Sequence, residues 1–190
     1  VELDVRATND GHLVLLHDDT VDRTTNKTGS IAELSLDQVQ RLDAGHSQRI
    51  PTLEEALEIA SGSIGVILEL KVERIGAEAC AIVKRSGFSG AVIYASFLGP
   101  ELRRVRQADP NATLLVLLPR QLPRDPIAEA LALNASLVGL HFSTLTPPLL
   151  QTYHNLDRRV FVYTVNDPAD IARMRDFGVD GIVSDFPDRL

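Results

Sequence analysis

From about residue 64 onward, short apolar runs alternate with amphipathic stretches, and this rhythm constrains the fold more than any other feature. Ile64–Leu70, Ala91–Ala95, Thr113–Leu118, Leu137–Leu140, Val160–Thr164 and Gly181–Val183 read as strands. The stretches between them, about 75–86, 100–108, 125–133, 147–155 and 168–177, read as helices. Strands joined by a crossover helix pair in parallel, because the helix returns the chain to the same end of the sheet. The repeat is about 23 residues long, but the units share no sequence identity, so it is a periodicity of fold and not a solenoid.

The N-terminal part obeys a different period. Val1 to Thr8 alternates apolar and polar residues, Asn9-Asp10-Gly11 turns the chain, and Leu13 to His17 extends again, which reads as a β-hairpin. Residues 18–34 are polar and rich in turn formers. Ser35-Leu36-Asp37-Gln38 then starts a short capped helix with Leu36, Val39 and Leu42 as its apolar stripe. Thr52 and Glu55 have the spacing of a capping box for a helix running to about Ser61. With the Leu13–His17 strand counted as the hairpin partner of the first, seven barrel-type strands remain, where a closed barrel of this kind has eight. The expected fold is therefore α/β, a TIM (β/α)8-type barrel with about seven of its eight strands in this chain. It is read as one domain over residues 1–190, with a small insertion at about 18–49 and no linker.

Composition removes several classes of function. A chain of 190 residues, 44% hydrophobic, buries roughly 70% of its unfolded surface and needs no staple. The single cysteine, Cys80, lies in an apolar run and is expected as a buried thiol, which leaves no disulfide framework and no cysteine zinc site. No apolar stretch reaches the ~18 residues of a membrane span. A net charge of −7, no Trp and 5% aromatics argue against a nucleic-acid surface. No glycine-rich phosphate loop or dinucleotide fingerprint is present.

The residues that carry chemistry sit on strands. Glu2 and Asp4 are two apart, so both leave the same face of the first strand; Val1, Leu3 and Val5 are expected to fill the other face. Two carboxylates sharing one patch call for a cation or a proton, unless the strand is merely a solvent-facing edge. Glu69 and Lys71 repeat the spacing at the end of a barrel strand, where such enzymes keep their sites, or else form an ordinary strand-end ion pair. His17 closes the second strand and is the first candidate for proton transfer. His141, just after a strand, is a weaker candidate, and His12, His46 and His154 are weaker still. The set suggests a hard divalent cation, Mg²⁺ or Ca²⁺, held by Glu2, Asp4 and Glu69, with Lys71 as a phosphate contact.

Taken together, Val1-Glu2-Leu3-Asp4-Val5-Arg6, Asp10-Gly11, Leu15-Leu16-His17-Asp18-Asp19-Thr20, Asp22-Arg23-Thr24-Thr25, Ile50-Pro51-Thr52-Leu53-Glu54-Glu55, Leu68-Glu69-Leu70-Lys71, Ser96-Phe97, Thr164-Val165-Asn166-Asp167 and Gly178 to Pro187 resemble, in order and along the whole chain, the glycerophosphodiester phosphodiesterases. The resemblance implies a TIM barrel in which Glu2, Asp4 and Glu69 bind the metal. It makes His17 one of two catalytic histidines, gives Lys71 the task of neutralising the phosphate, and places the insertion over the glycerol end of the pocket. The implied reaction is hydrolysis of a small-molecule glycerophosphodiester to glycerol 3-phosphate and an alcohol such as choline or ethanolamine. The family's earlier His-Arg-Gly motif, which supplies the partner histidine and an arginine, has no counterpart here, so a longer enzyme incompletely represented by these residues is expected. Tyr163 stands where the family usually has Trp, and Ser184 where it often has Thr. The rival readings are a non-catalytic barrel that binds metal or phosphodiester, and a related phosphodiesterase acting on lysophospholipids. The expected location is cytoplasmic, with a periplasmic or secreted one left open, and the oligomeric state is not readable.

Overall fold

The computed structural model describes residues 1–190. Its strands and helices follow in the order β1 (Glu2–Ala7), β2 (Leu13–Leu15), α1 (Leu36–Val39), α2 (Leu53–Ala60), β3 (Val66–Leu70), α3 (Gly76–Ser86), β4 (Val92–Ser96), α4 (Gly99–Ala108), β5 (Thr113–Leu117), α5 (Ala128–Ala132), β6 (Leu137–His141), α6 (Pro147–His154), β7 (Arg159–Tyr163), α7 (Pro168–Phe177) and β8 (Gly181–Ile182). They fall into two compact units, one made of Val1–Tyr94 with Pro100–Ala112 and the other of Ala95–Gly99 with Thr113–Leu190.

In the first unit β1 lies between two partners. It is antiparallel to β2, with Val5 opposite Leu15 and Ala7 opposite Leu13, and parallel to β3, with Glu2 beside Ile67 and Asp4 beside Glu69. Val66, Leu68 and Leu70 of β3 are buried and alternate with Ile67 and Glu69 on the opposite face, the period of two that a strand imposes. The face of β1 opposite Glu2 and Asp4 is less filled than expected. Val5 is fully buried, but Leu3 is half-buried and Val1 is 60% exposed. The register gives the reason: β2 reaches only as far as Val5, so Val1 and Leu3 have a ladder neighbour on the β3 side alone. The third strand also begins two residues later than expected, at Val66, with Ile64 half exposed ahead of it.

Both short helices after β2 start as their sequences require. The Ser35 hydroxyl takes the Gln38 amide while the Gln38 side chain returns to the Ser35 amide, and Thr52 and Glu55 do the same for α2. Between them the chain closes on its own apolar cluster of Val14, Leu16, Val21, Ile31, Val39, Leu42 and Ile50. Asp10 in the β1–β2 turn accepts from the Leu36 amide and from the Thr8 hydroxyl, which ties α1 to the hairpin.

The second unit is a parallel ladder of β5, β6, β7 and β8 in that order. Leu114, Val116, Val138, Leu140, Val160 and Val162 fill its core with Ile171 and Met174 of α7. Gly178 ends α7 in the left-handed conformation, φ 82°, where a side chain would be strained. Helix α5 is shorter than the sequence pattern suggests. Asp125 caps it through the Ile127 and Ala128 amides, and Asn134, at φ 44°, turns the chain out at its end.

One buried charge organises the corner that follows β3. Glu101 of α4 is fully buried and accepts from the amides of Arg74 (2.6 Å), Ile75 (3.0 Å) and Gly76 (2.8 Å), with Arg104 completing its shell at 2.6 Å. These are the free N–H groups at the start of α3, the positive end of its dipole. Arg74 is held at φ 69°, a conformation that costs a non-glycine residue about 1 kcal/mol. Gly76 brings the two helices into contact, since a Cβ there would lie 2.7 Å from the Glu101 carbonyl oxygen. Replacing Glu101 by Leu would leave two buried amides and a part-buried one unpaired, and we expect a loss of about 3 kcal/mol or more with an unchanged denaturant slope. Urea unfolding of Glu101→Leu beside the parent chain measures it; equal midpoints would refute the anchoring role.

Candidate active site

The β1–β3 register creates the site. Asp4 sits beside Glu69, and Glu2, two residues earlier, leaves the same face of β1, so three carboxylates bring oxygens within 4.8 Å of one another. One pair further along, the Lys71 amide donates to the Val5 carbonyl at 3.1 Å and continues the ladder. The Lys71 ammonium then reaches Glu69 at 2.8 Å and Asp4 at 3.1 Å, with all three side chains largely shielded. Burial works against the Lys71 charge, but the hydrogen bond to Glu69 and the charges of Glu69 and Asp4 outweigh it, and its pKa rises.

One ammonium does not neutralise three carboxylates, and Glu2 bears the excess. Burial first, then the charges of Asp4 and Glu69, push its pKa up to about 7, against the opposing pull of Lys71 and the terminal amine. Its Oε1 is buried without a hydrogen-bond partner. A buried, unpartnered carboxylate oxygen beside two further carboxylates is an all-oxygen donor set, which fits a hard divalent cation.

His17 reaches the same place by a different route. The Leu16 amide donates to the Asp4 carbonyl at 3.0 Å, so the end of the β2 segment is tied to β1. Arg6, two residues beyond Asp4, donates from both Nε (3.1 Å) and its terminal nitrogen (2.9 Å) to the His17 carbonyl. Glu2, Leu3, Asp4, Leu15, Leu16 and His17 line one cavity of 210 Å³. Asp18 lies 2.7 Å from the His17 Nδ1 and is itself gripped by the Arg23 guanidinium.

Every residue singled out on the hairpin and on β3 is thus brought together: Glu2, Asp4, Glu69 and Lys71 in one charge cluster, and His17 beside two of them. The other histidines are not. His12 lies in the β1–β2 turn, His46 in an exposed loop, and His154 pairs with Asp180 at 2.9 Å. His141, in the second unit, ends β6, stacks on Phe142 and accepts from the Ser143 amide at its Nδ1. Its pKa is lowered, first by burial and then by Arg120. Arg6, Asp18 and Arg23 were not singled out from sequence. Each nonetheless left a signal, Arg6 as the third member of the Glu2, Asp4, Arg6 alternation, and Asp18 and Arg23 within the His17-Asp18 and Asp22-Arg23 segments that carry the resemblance.

Comparison with known proteins points to one family. The model of the glycerophosphoryl diester phosphodiesterase family matches residues 1–189. A glycerophosphodiester phosphodiesterase of Caldanaerobacter subterraneus subsp. tengcongensis is 35% identical over 203 residues, spanning 100% of this chain and 83% of the relative. One from Bacillus subtilis is 28% identical over 216 residues, spanning 99% of this chain and 74% of the relative. Among solved structures, an Oleispira antarctica phosphodiesterase in complex with the product sn-glycerol-3-phosphate superposes with a TM-score of 0.92 at 27% identity, over 100% of this chain and 82% of that one. The glycerophosphodiester phosphodiesterase of Agrobacterium tumefaciens gives 0.85 at 28% identity, over 99% and 84%. The chain therefore belongs to the glycerophosphoryl diester phosphodiesterase family, phosphoric diester hydrolases with the TIM-barrel fold.

Proposed function

We propose that this chain acts on small-molecule glycerophosphodiesters, releasing glycerol 3-phosphate and an alcohol, with Glu2, Asp4 and Glu69 holding Mg²⁺ or Ca²⁺ and His17 moving a proton. The observation that carries the reading is the unpartnered Glu2 carboxylate oxygen in the cavity that His17 also lines. The product bound to the Oleispira antarctica relative supports the choice of substrate class.

Each side chain has work to do. Asp4 and Glu69 are held in place by Lys71, whose ammonium brings a positive charge to the position a phosphoryl group would occupy. Glu2 supplies the third oxygen ligand once its proton leaves. A divalent cation bound there is a Lewis acid that polarises a phosphoryl oxygen. His17, on the rim of the same cavity, takes one of the two proton transfers that phosphodiester hydrolysis requires, as base toward the attacking hydroxyl or as acid toward the leaving alcohol.

The protonation of Glu2 gives this reading a pH dependence. Below pH 7 a cation must displace the Glu2 proton, so affinity for Mg²⁺ should rise about tenfold per pH unit up to 7 and flatten above it. Calorimetric titration of the chain with Mg²⁺ or Ca²⁺ at several pH values reads this directly, and Glu2→Gln should lose both the affinity and its slope. The same shift acts on the metal-free protein in the opposite sense. A carboxyl raised from 4.5 to about 7 favours the folded state below pH 4.5, and that contribution is lost as pH climbs to 7. Denaturant melts of the parent and Glu2→Gln chains in chelator should therefore differ in slope between pH 4.5 and 7.

His17→Ala should lower the release of glycerol 3-phosphate from glycerophosphocholine by about 100-fold or more while cation binding persists. Unchanged turnover would remove His17 from the reaction. Cation binding with no turnover by the parent chain would instead favour the non-catalytic binding reading.

A further inference from the structure

The proton of the His17 ring is placed by residues outside it. Arg23 donates from Nε to one Asp18 oxygen at 2.6 Å and from a terminal nitrogen to the other at 3.0 Å, a two-point grip that fixes the plane of the carboxylate. The Arg23 hydrogen bonds, followed by that of His17, hold the Asp18 carboxyl well below the usual carboxylate range. An ionised carboxylate only accepts, so the 2.7 Å contact between Asp18 Oδ1 and His17 Nδ1 requires the proton to be on Nδ1. A neutral imidazole then carries its lone pair on Nε2. Arg6 fixes the His17 carbonyl from β1, so one guanidinium holds the backbone, while the ring is held by a carboxylate that a second guanidinium grips.

We propose that Asp18, clamped by Arg23, is a positioning residue that keeps His17 in its Nδ1–H form and so leaves Nε2 able to take up a proton. This deepens the acid/base reading of His17 and rests on it. It also gives the polar segment after β2 a task at the site, through Arg23. The consequence of removing one charge is specific. In Asp18→Asn, Arg23 can only donate, so the amide oxygen takes the Oδ2 place that receives the shorter Arg23 bond, at 2.6 Å, and the amide NH₂ takes the Oδ1 place facing Nδ1, at the cost of the 3.0 Å Arg23 bond. Nδ1 must then accept, and the ring proton moves to Nε2.

The decisive measurement is the long-range ¹H–¹⁵N correlation spectrum of the full chain labelled in its histidines, recorded at about pH 8.5, where an ordinary imidazole is neutral. His17 is assigned by the signal lost in His17→Gln. The parent should show the Nδ1–H form and Asp18→Asn the Nε2–H form, with the signals of the other four histidines unmoved as evidence of an intact fold. An Nε2–H form in the parent would overturn the proposal even if Asp18→Asn failed to fold, and so would the same tautomer in both. Arg23→Met should give a mixture; a pure Nδ1–H form there would remove Arg23 from the assignment.

Turnover separates this proposal from the reading beneath it. Asp18→Asn should lower kcat by about 100-fold or more with KM within about threefold. If His17→Ala leaves turnover intact, the acid/base role fails, whereas the tautomer assignment still stands or falls on the spectrum. If His17→Ala abolishes turnover and Asp18→Asn does not lower it, positioning by Asp18 is refuted.

Discussion

Parallel pairing of β1 with β3 in a single register concentrates the chemistry of this chain. With Asp4 beside Glu69, the two-residue spacing of each strand carries Glu2 and Lys71 to the same face. A slip of one residue would send the β1 carboxylates to the opposite side of the strand. The register therefore imposes an electrostatic cost, three acidic groups within 4.8 Å, that one ammonium offsets only in part. The remainder shows as the raised pKa of Glu2 and its unpartnered oxygen. A proton or a divalent cation can relieve it.

Much of this was legible in the sequence because strands announce themselves with period two. The alternation of Glu2 and Asp4, and of Glu69 and Lys71, marked the faces correctly. It could not separate a metal site from a solvent-facing edge, since that depends on which strands pair and in what register. Pairing is a tertiary property, and Asp4 and Glu69 are 65 positions apart. Arg6 and Arg23 were less visible because their partners are reached through loop geometry. The exposed Val1 and the shortened α5 show the same limit from the other side. An apolar residue is buried only where a second strand arrives to cover it, and a helical pattern ends wherever a local cap or a left-handed residue intervenes.

The segment between β2 and α2 illustrates how a polar, turn-rich stretch can still be rigid. Its apolar residues are sparse, but Val21, Ile31, Val39, Leu42 and Ile50 meet Val14 and Leu16 of the hairpin and form a small core of their own. Arg23 sits two residues from Val21 and so borrows that rigidity. A guanidinium on a frayed loop would lose much of its grip to conformational entropy.

The corner after β3 carries a consequence for how this chain can vary. Glu101 holds Arg74, Ile75 and Gly76 entirely through main-chain amides, which every residue except proline presents alike. The identities at 74 and 75 are thus free of the anchor, while the direction of the chain there is encoded by a residue 25 to 27 positions downstream. Exchanges at the exposed position 74 would leave the anchor intact as long as the distant acid persists, whereas position 76 has no room for a side chain. A change at 101 would be felt where no side chain had altered.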